Sequence, residues 1–520
     1  MSGLPLLSLI TFSPLVAALI VLVLPGQPLR VPRLAAFLLS LVPFALSLVM
    51  LAQFDPALGT LQMRERVTWM PAIGADYAMG VDGFSIWLIL LTTFLTPVLI
   101  LAAWTDIRKR VRLFMALMLI LESVMLGALC ATDLLLFFFF WEFMLFPMAF
   151  VIWLWGHDNR VYAAMKFIVF TLAGSAFMLV GIIYLAMRHA ELMGRASFDI
   201  ETLYATPLSY TEQVWLFTAF TVAFMVKVPM VPLHTWLPDA HTEAPTGGSV
   251  ALAGVLLKMG AYAFLRFSLP LFPLAAQDAF PLIVLLAVIG IIYGALVAYP
   301  QPDMKRLVAY SSVSHMGFIM LGLYAFNRMG VTGGVLQMVN HGLSTGALFI
   351  LVGLIYDRTH TRDISRYGGM WGAVPIWSAL FLVVTLSSIG LPGLNGFVGE
   401  FLILAGAFRA HPLAAAVATI GIVLGALYML TMYQRVVFGE PSATAVHATH
   451  AIADLNLREI CAAMAMVVFM VWIGVYPKPF TDRIQPTVDL LLTRLAKGGA
   501  TRYLVPPSSA PAPVRHAQAH

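Results

Sequence analysis

Charge is what this chain has least of. Only 11% of its 520 residues are Asp, Glu, Lys or Arg, against about 25% in soluble domains. That deficit excludes a soluble globular enzyme and leaves little mass outside a membrane. Cysteine is nearly absent as well. Cys130 and Cys461 stand alone inside apolar stretches, with no CxxC or ferredoxin-type spacing, so the sequence predicts no iron–sulfur cluster and no metal site in this chain. No Gly-rich phosphate loop, nucleophile elbow or haem-ligand pattern stands out either. The formal charge of +5 is too small for a nucleic-acid patch and reads as loop topology. The alternating ~10-residue pattern of a membrane barrel is also missing.

Long apolar runs are what the chain does have. Hydrophobic residues make up 61% of it, and a helix needs about 20 of them to cross the hydrocarbon layer. The expectation is an all-α polytopic membrane protein embedded in the lipid bilayer, with about 14 transmembrane helices. Their limits fall near 4–24, 34–53, 84–103, 113–131, 133–154, 162–187, 213–232, 248–269, 280–299, 307–326, 332–356, 374–403, 413–437 and 459–476. The twelfth reads as one broken helix or two short ones. Leu4 to Leu24 lacks a basic segment before it and is long enough to span, so it reads as a retained helix.

Lysine and arginine in the loops set the orientation. Arg30, Arg33, Arg108, Lys109, Arg110, Arg112, Arg160, Lys305, Arg306, Arg358, Arg362 and Arg366 fall on one side. Arg64, Arg66, Arg188, Arg195, Arg328 and Arg409 fall on the other. The first group then faces the cytoplasm and both termini lie outside it, although the basic tail (Lys478, Arg483, Arg494, Lys497) argues the other way. From Thr481 to Lys497 apolar residues recur at helical spacing, as in a helix lying on the membrane surface. Residues 501–520 read as a disordered tail.

Against this apolar background a few ionisable residues are conspicuous. An ionisable group at the bilayer centre costs about 2.5–3.5 kcal/mol on insertion scales, so a chain that repeats the cost is handling charge there. Lys227 sits in Val226-Lys227-Val228-Pro229, where Pro229 and Pro232 break the seventh helix and free the carbonyls of Met225 and Val228. Glu400 follows a second break, Gly390-Leu391-Pro392-Gly393-Leu394-Asn395-Gly396. Broken helices at membrane depth line hydrated, protein-walled cavities, often at matching places in inverted repeats. The pairing suggests two inverted five-helix repeats and two broken helices. The division is residues 1–110 as N-terminal helices, 111–270 and 271–440 as half-units, 441–500 as a last span with its surface helix, and 501–520 as the tail.

Glu142, after Phe137-Phe138-Phe139-Phe140-Trp141, is either a neutral buried carboxylate or a partner for Lys227. Lys258 lies in the eighth span among the small residues Gly247, Ala251 and Gly254, with Arg266 two turns on as the residue expected to snorkel. Glu122 in the fourth span could face the fifth. His315 and His341 are intramembrane imidazoles, able to exchange protons near neutral pH or to sit as bonded core residues. His234 and His241 fall in a segment whose prolines, Pro238 and Pro245, suggest a rigid turn near the bilayer surface. Lys305, in an interfacial loop, is open between an anchor and a role in the second half-unit.

Three stretches carry a family resemblance: Lys227-Val-Pro-Met-Val-Pro-Leu-His-Thr-Trp-Leu-Pro-Asp-Ala-His241 through Lys258; Asp303-Met-Lys-Arg-Leu-Val-Ala-Tyr-Ser-Ser-Val-Ser-His-Met-Gly317; and Leu391-Pro-Gly-Leu-Asn-Gly-Phe-Val-Gly-Glu400-Phe. Together, over residues 80–440, they resemble the antiporter-like membrane subunits of respiratory complex I. Glu400, where sister chains and Mrp antiporter subunits look to carry lysine, sets the resemblance with the M branch, which includes mitochondrial subunit four. The resemblance implies proton translocation in a bacterial plasma membrane, beside sister antiporter-like chains. NADH, flavin, iron–sulfur clusters and quinone would belong to partner subunits. It further implies that Glu142 pairs with Lys227, that Lys258 with His315 and His341 is the central relay, and that Glu400 is the terminal site. The rivals are an Mrp-type Na⁺/H⁺ antiporter subunit, the membrane arm of a related hydrogenase complex, and a structural spacer with no ion path.

Overall fold

In hydrocarbon a backbone has no water to bond, so apolar runs must satisfy their own amides and become helices. The computed structural model describes residues 4–440 and 452–497. The chain runs through α1 (Leu6–Val23), α2 (Arg30–Gln53), the hairpin β1 (Gln62–Met70) and β2 (Ala75–Val81), α3 (Ile86–Ala102) and α4 (Val111–Cys130). Then follow α5 (Leu134–Trp155), α6 (Arg160–Met193), α7 (Tyr210–Lys227), α8 (Trp236–Glu243), α9 (Thr246–Leu271) and α10 (Phe280–Ala298). The remainder is α11 (Met304–Leu323), α12 (Arg328–Thr359), α13 (Pro375–Ser388), α14 (Asn395–Ala410), α15 (Pro412–Phe438), α16 (Leu457–Val475) and α17 (Lys478–Lys497).

Among the described residues ten helices are long and apolar enough to cross a bilayer. The other expected spans are helical too, but shorter or more polar: α3, α7, α11, and the twelfth segment, split into α13 and α14. The hairpin corrects the all-α expectation. Its first strand alternates Arg64 and Arg66 with Glu65 and Val67, a period-two pattern that suits a strand, and Val67 pairs with Tyr77 across it.

The two helix breaks fall where the prolines and glycines stand. After Lys227 the Val226 carbonyl, left without a helical partner, accepts the Trp236 Nε1–H at 2.9 Å, and the Met225 carbonyl accepts the Met230 amide at 3.0 Å. The segment expected to be a surface turn is instead α8, with Trp236 and His241 buried. The reason is that Trp236, Leu237 and Ala240 give it an apolar face to pack inward. At the second break Gly390 and Gly393 take φ of +75° and +93°, a left-handed conformation that glycine adopts without a Cβ penalty.

Inside α9 the helix is irregular, which its continuous apolar run conceals. Two π-turns, Leu252–Leu256 and Phe264–Ser268, flank Lys258; such turns leave local carbonyls free and recur at functional sites. Arg266 does not snorkel: it is buried and clamped on Asp82. The amphipathic α17 turns Phe480, Ile484, Val488 and Leu491 inward and ties to the bundle, with Trp87 Nε1 donating to the Phe480 carbonyl at 3.1 Å. The tail expected at 501–520 lies outside the described residues.

Helix ends repeat one device. Asp133 caps α5 and bridges to Asp199; Asp303 caps α11 and bridges to Asp363. Close approach is equally local. A Cβ on Gly260 would lie 2.8 Å from the Val228 amide nitrogen and 2.9 Å from the Phe224 carbonyl, so only glycine lets α9 lie against the end of α7. Gly260→Ala is predicted to destabilise the fold by about 1–3 kcal/mol, read as a lowered thermal unfolding midpoint of the purified protein; an unchanged midpoint would refute the close packing.

Candidate functional site

The interior polar groups form one connected row and one separate arm. The row begins at Lys258, fully buried on α9. Its Nζ donates to the Ala253 carbonyl, which lies within the first π-turn, and lies 2.6 Å from Nδ1 of His341 on α12. The His341 and His315 rings are 5.5 Å apart between centroids. His315, on α11, places Nδ1 3.3 Å from Glu400 Oε1 on α14 and Nε2 3.4 Å from the Ser388 hydroxyl at the end of α13. Four titratable side chains from four helices thus follow one another with no break longer than the gap between the two imidazoles.

That gap borders a small cavity lined by polar side chains, among them His315, Gln337, His341, Ser344, Ser387 and Ser388. The walls are built from the second break. Asn340 Nδ2 donates to the Asn395 carbonyl at 2.7 Å and to Gln337 Oε1 at 3.2 Å. Asn395 Oδ1 accepts from the Ser387 hydroxyl at 2.5 Å, and Gln337 Nε2 reaches Glu400 Oε1 at 3.4 Å. Gly390 is needed here for space as well as for φ, because its Cβ would stand 2.6 Å from Glu400 Oε2. His341 Nε2 and Asn340 Oδ1 keep buried polar atoms without a protein partner, which suits a water-filled space.

The arm holds Lys227, 3% exposed at the C-terminus of α7. Its ammonium lies 4.3 Å from the centre of the Trp141 ring, a cation–π contact that stabilises a desolvated cation. Glu142, the next residue, makes no direct salt bridge to Lys227 among the described residues and faces it only through space; its Oε1 has no hydrogen-bond partner there either. Trp141 is fixed in turn by its Nε1–H on the Ser175 hydroxyl at 3.1 Å.

Four sequence candidates fall elsewhere. Glu122 is fully buried, with both oxygens lacking a hydrogen-bond partner among the described residues; its polar neighbour is Thr96 on α3. His234 packs edge-on against Tyr293 at 5.1 Å, while His241 stacks on Phe349 at 4.7 Å. Lys305 is buried at the start of α11 and donates to the Ala244 carbonyl.

Comparison with known proteins can now be set against this geometry. Residues 131–425 match the family described as NADH:quinone oxidoreductase/Mrp antiporter, TM. NADH-quinone oxidoreductase subunit M of Rhodobacter capsulatus is 44% identical over 94% of this chain and 96% of its own length. The chain belongs to this family. NADH-ubiquinone oxidoreductase chain 4 of Arabidopsis thaliana is 42% identical over 94% of this chain and 97% of its own. Among solved structures, a chain of respiratory complex I from Thermus thermophilus with bound NADH superposes with a TM-score of 0.85 at 33% identity, covering 94% of this chain and 99% of that one. A chain of the Mrp complex from Dietzia shares the fold, with a TM-score of 0.82 at 22% identity over 97% and 100%.

For a member of this family, the groups that the sequence reading missed are Trp141, the π-turns, and the Gln337, Asn340, Ser344 and Asn395 cluster. A signal for part of it was available: Gln337, Asn340, His341 and Ser344 recur at three- and four-residue spacing along α12, a span buried throughout. Asn340→Leu strands the Gln337 and Asn395 oxygens that Asn340 serves. It is predicted to destabilise the protein by about 2–4 kcal/mol, measured by thermal unfolding beside Asn340→Asp; equal midpoints for Asn340→Leu and the unmutated protein would refute the bridging role.

Proposed function

We propose that this chain is a proton-translocating membrane subunit of an NADH-quinone oxidoreductase, and that its protons pass along the buried row from Lys258 to Glu400. The names and coverage of the relatives support the assembly. The single observation that carries the relay is the succession Lys258, His341, His315, Glu400 beside a polar cavity.

Each step asks only for chemistry that these groups have. The Lys258 ammonium can pass a proton to His341 Nδ1, which an imidazole accepts near neutral pH. Water in the cavity bridges the two rings, and His315 delivers the proton from Nδ1 to Glu400 Oε1. The Glu142, Trp141 and Lys227 arm is the input. A change of charge near Glu142 alters how well Lys227 is held as a cation, and one pKa unit corresponds to about 1.4 kcal/mol. Gly260, which seats α9 on the end of α7, brings that change to the Lys258 helix. Glu122 stands outside this route.

NADH, flavin, iron–sulfur clusters and quinone belong to partner subunits in this reading, with sister antiporter-like chains beside this one in a bacterial plasma membrane. The 14-crossing count, the half-units 111–270 and 271–440 and the two inverted repeats fit the matched capping and bridging of Asp133 with Asp199 and Asp303 with Asp363. The basic loops around Arg108 and Arg362 then face the cytoplasm, and the hairpin faces the other side. The high identity to relatives named for NADH-quinone oxidoreductase favours this reading over a free-standing Na⁺/H⁺ antiporter.

The test is NADH-driven proton uptake in vesicles holding the assembled complex. Lys227→Ala and Lys258→Ala are each predicted to lower it to near background, and Glu400→Ala to lower both uptake and quinone-linked turnover. Full pumping in any one of the three removes that residue from the route.

A further inference from the structure

Lys258 is not only joined to the histidines. On the same helix, four and eight residues further on, stand Tyr262 and Arg266, about 6 and 12 Å along the axis. Both are buried. Arg266 donates from NH1 and NH2 to the two oxygens of Asp82 at 2.6 and 2.7 Å, and from Nε to the Tyr262 hydroxyl at 3.0 Å. The Tyr262 hydroxyl donates in turn to the Leu129 carbonyl at 3.0 Å. Asp82, in the turn between β2 and α3, also accepts the Phe84 amide at 3.0 Å, so the clamp ties that turn, α4 and α9 together. The Arg266 carbonyl, in the second π-turn, accepts the Tyr204 hydroxyl at 2.7 Å.

On the far side of the clamp a small open pocket reaches Asp82 and Arg266, with Thr60, Glu201, Tyr204 and Arg494 among its walls. The clamp therefore stands between that cavity and Lys258. A guanidinium cannot release its proton at physiological pH, so Arg266 is no carrier. Paired with both oxygens of Asp82, it lies across the line from the cavity to the relay as a bonded pair, and it passes no proton toward Lys258 from that end.

We propose that Asp82, Tyr262 and Arg266 form an ion-paired seal that closes the Lys258 site toward the hairpin end of the bundle. The seal rests on the relay proposed above, because its task is to stop protons short-circuiting that relay. Asp82 and Tyr262 are positioning residues: they hold Arg266 across the line and touch no transferred proton. Without the Asp82 carboxylate, Arg266 is free to turn into the cavity and water can follow it inward.

The experiment uses the assembled complex in vesicles and reads two quantities. Passive proton permeability, measured after an imposed acid step with no NADH, is predicted to rise severalfold in Asp82→Asn. The steady-state NADH-driven pH gradient is predicted to fall by more than half while quinone-linked turnover is retained. Tyr262→Phe removes a single hydroxyl and is predicted to give a smaller rise in the same direction; it decides the matter where Asp82→Asn fails to assemble. Wild-type permeability in whichever of these variants assembles overturns the seal. The relay itself is read separately, from pumping in Lys258→Ala, so failure of one is distinguishable from failure of the other.

Discussion

The burial of an ammonium on α9 sets the terms for the rest of the structure. Lys258 is fully enclosed, and a charge in that position is expensive unless dipoles replace its water. The replacement is local. A π-turn directs the Ala253 carbonyl to Nζ, His341 supplies a second partner, and Gly260 lets the helix press against the broken end of α7. Irregular backbone is tolerated at this depth because it is walled in by protein, and the two breaks and two π-turns all gather around this side chain or its successors.

Much of this could be read from residues. The apolar runs predicted the helices, and charge in the wrong solvent singled out Lys227, Lys258 and Glu400 with no knowledge of their neighbours. Pro229, Pro232 and the Gly390 to Gly396 segment marked both breaks. Other features depend on contacts that leave no periodic trace. The π-turns in α9, one holding Gly254 and the other just before Pro270, lie within an otherwise continuous apolar helical run. The hairpin was lost because its alternation occupies one short linker in a chain dominated by helices. Arg266 looked free to reach an interface because Asp82, 184 residues away in sequence, gives no local sign of its presence.

The two parts of the interior differ in kind. The Lys258 row is built from direct contacts and a polar cavity, suited to passing a proton from group to group. The Lys227 arm is built from an aromatic face and a carboxylate acting through space, suited to changing the energy of one cation. A pump needs both a conductor and something that alters the conductor's affinity, and in the proposed reading the row and the arm fill these two roles. The proposed seal at the Arg266–Asp82 pair would add the third requirement, a barrier to return flow.

The central claim is that protons cross from Lys258 to Glu400 by way of the two imidazoles. His341→Leu cuts that succession in the middle while leaving Lys258, Glu400 and the whole Lys227 arm in place. NADH-driven acidification of vesicles carrying the assembled His341→Leu complex is the most direct measurement. The account predicts loss of most of the acidification with assembly retained; acidification at the unmutated rate would contradict it.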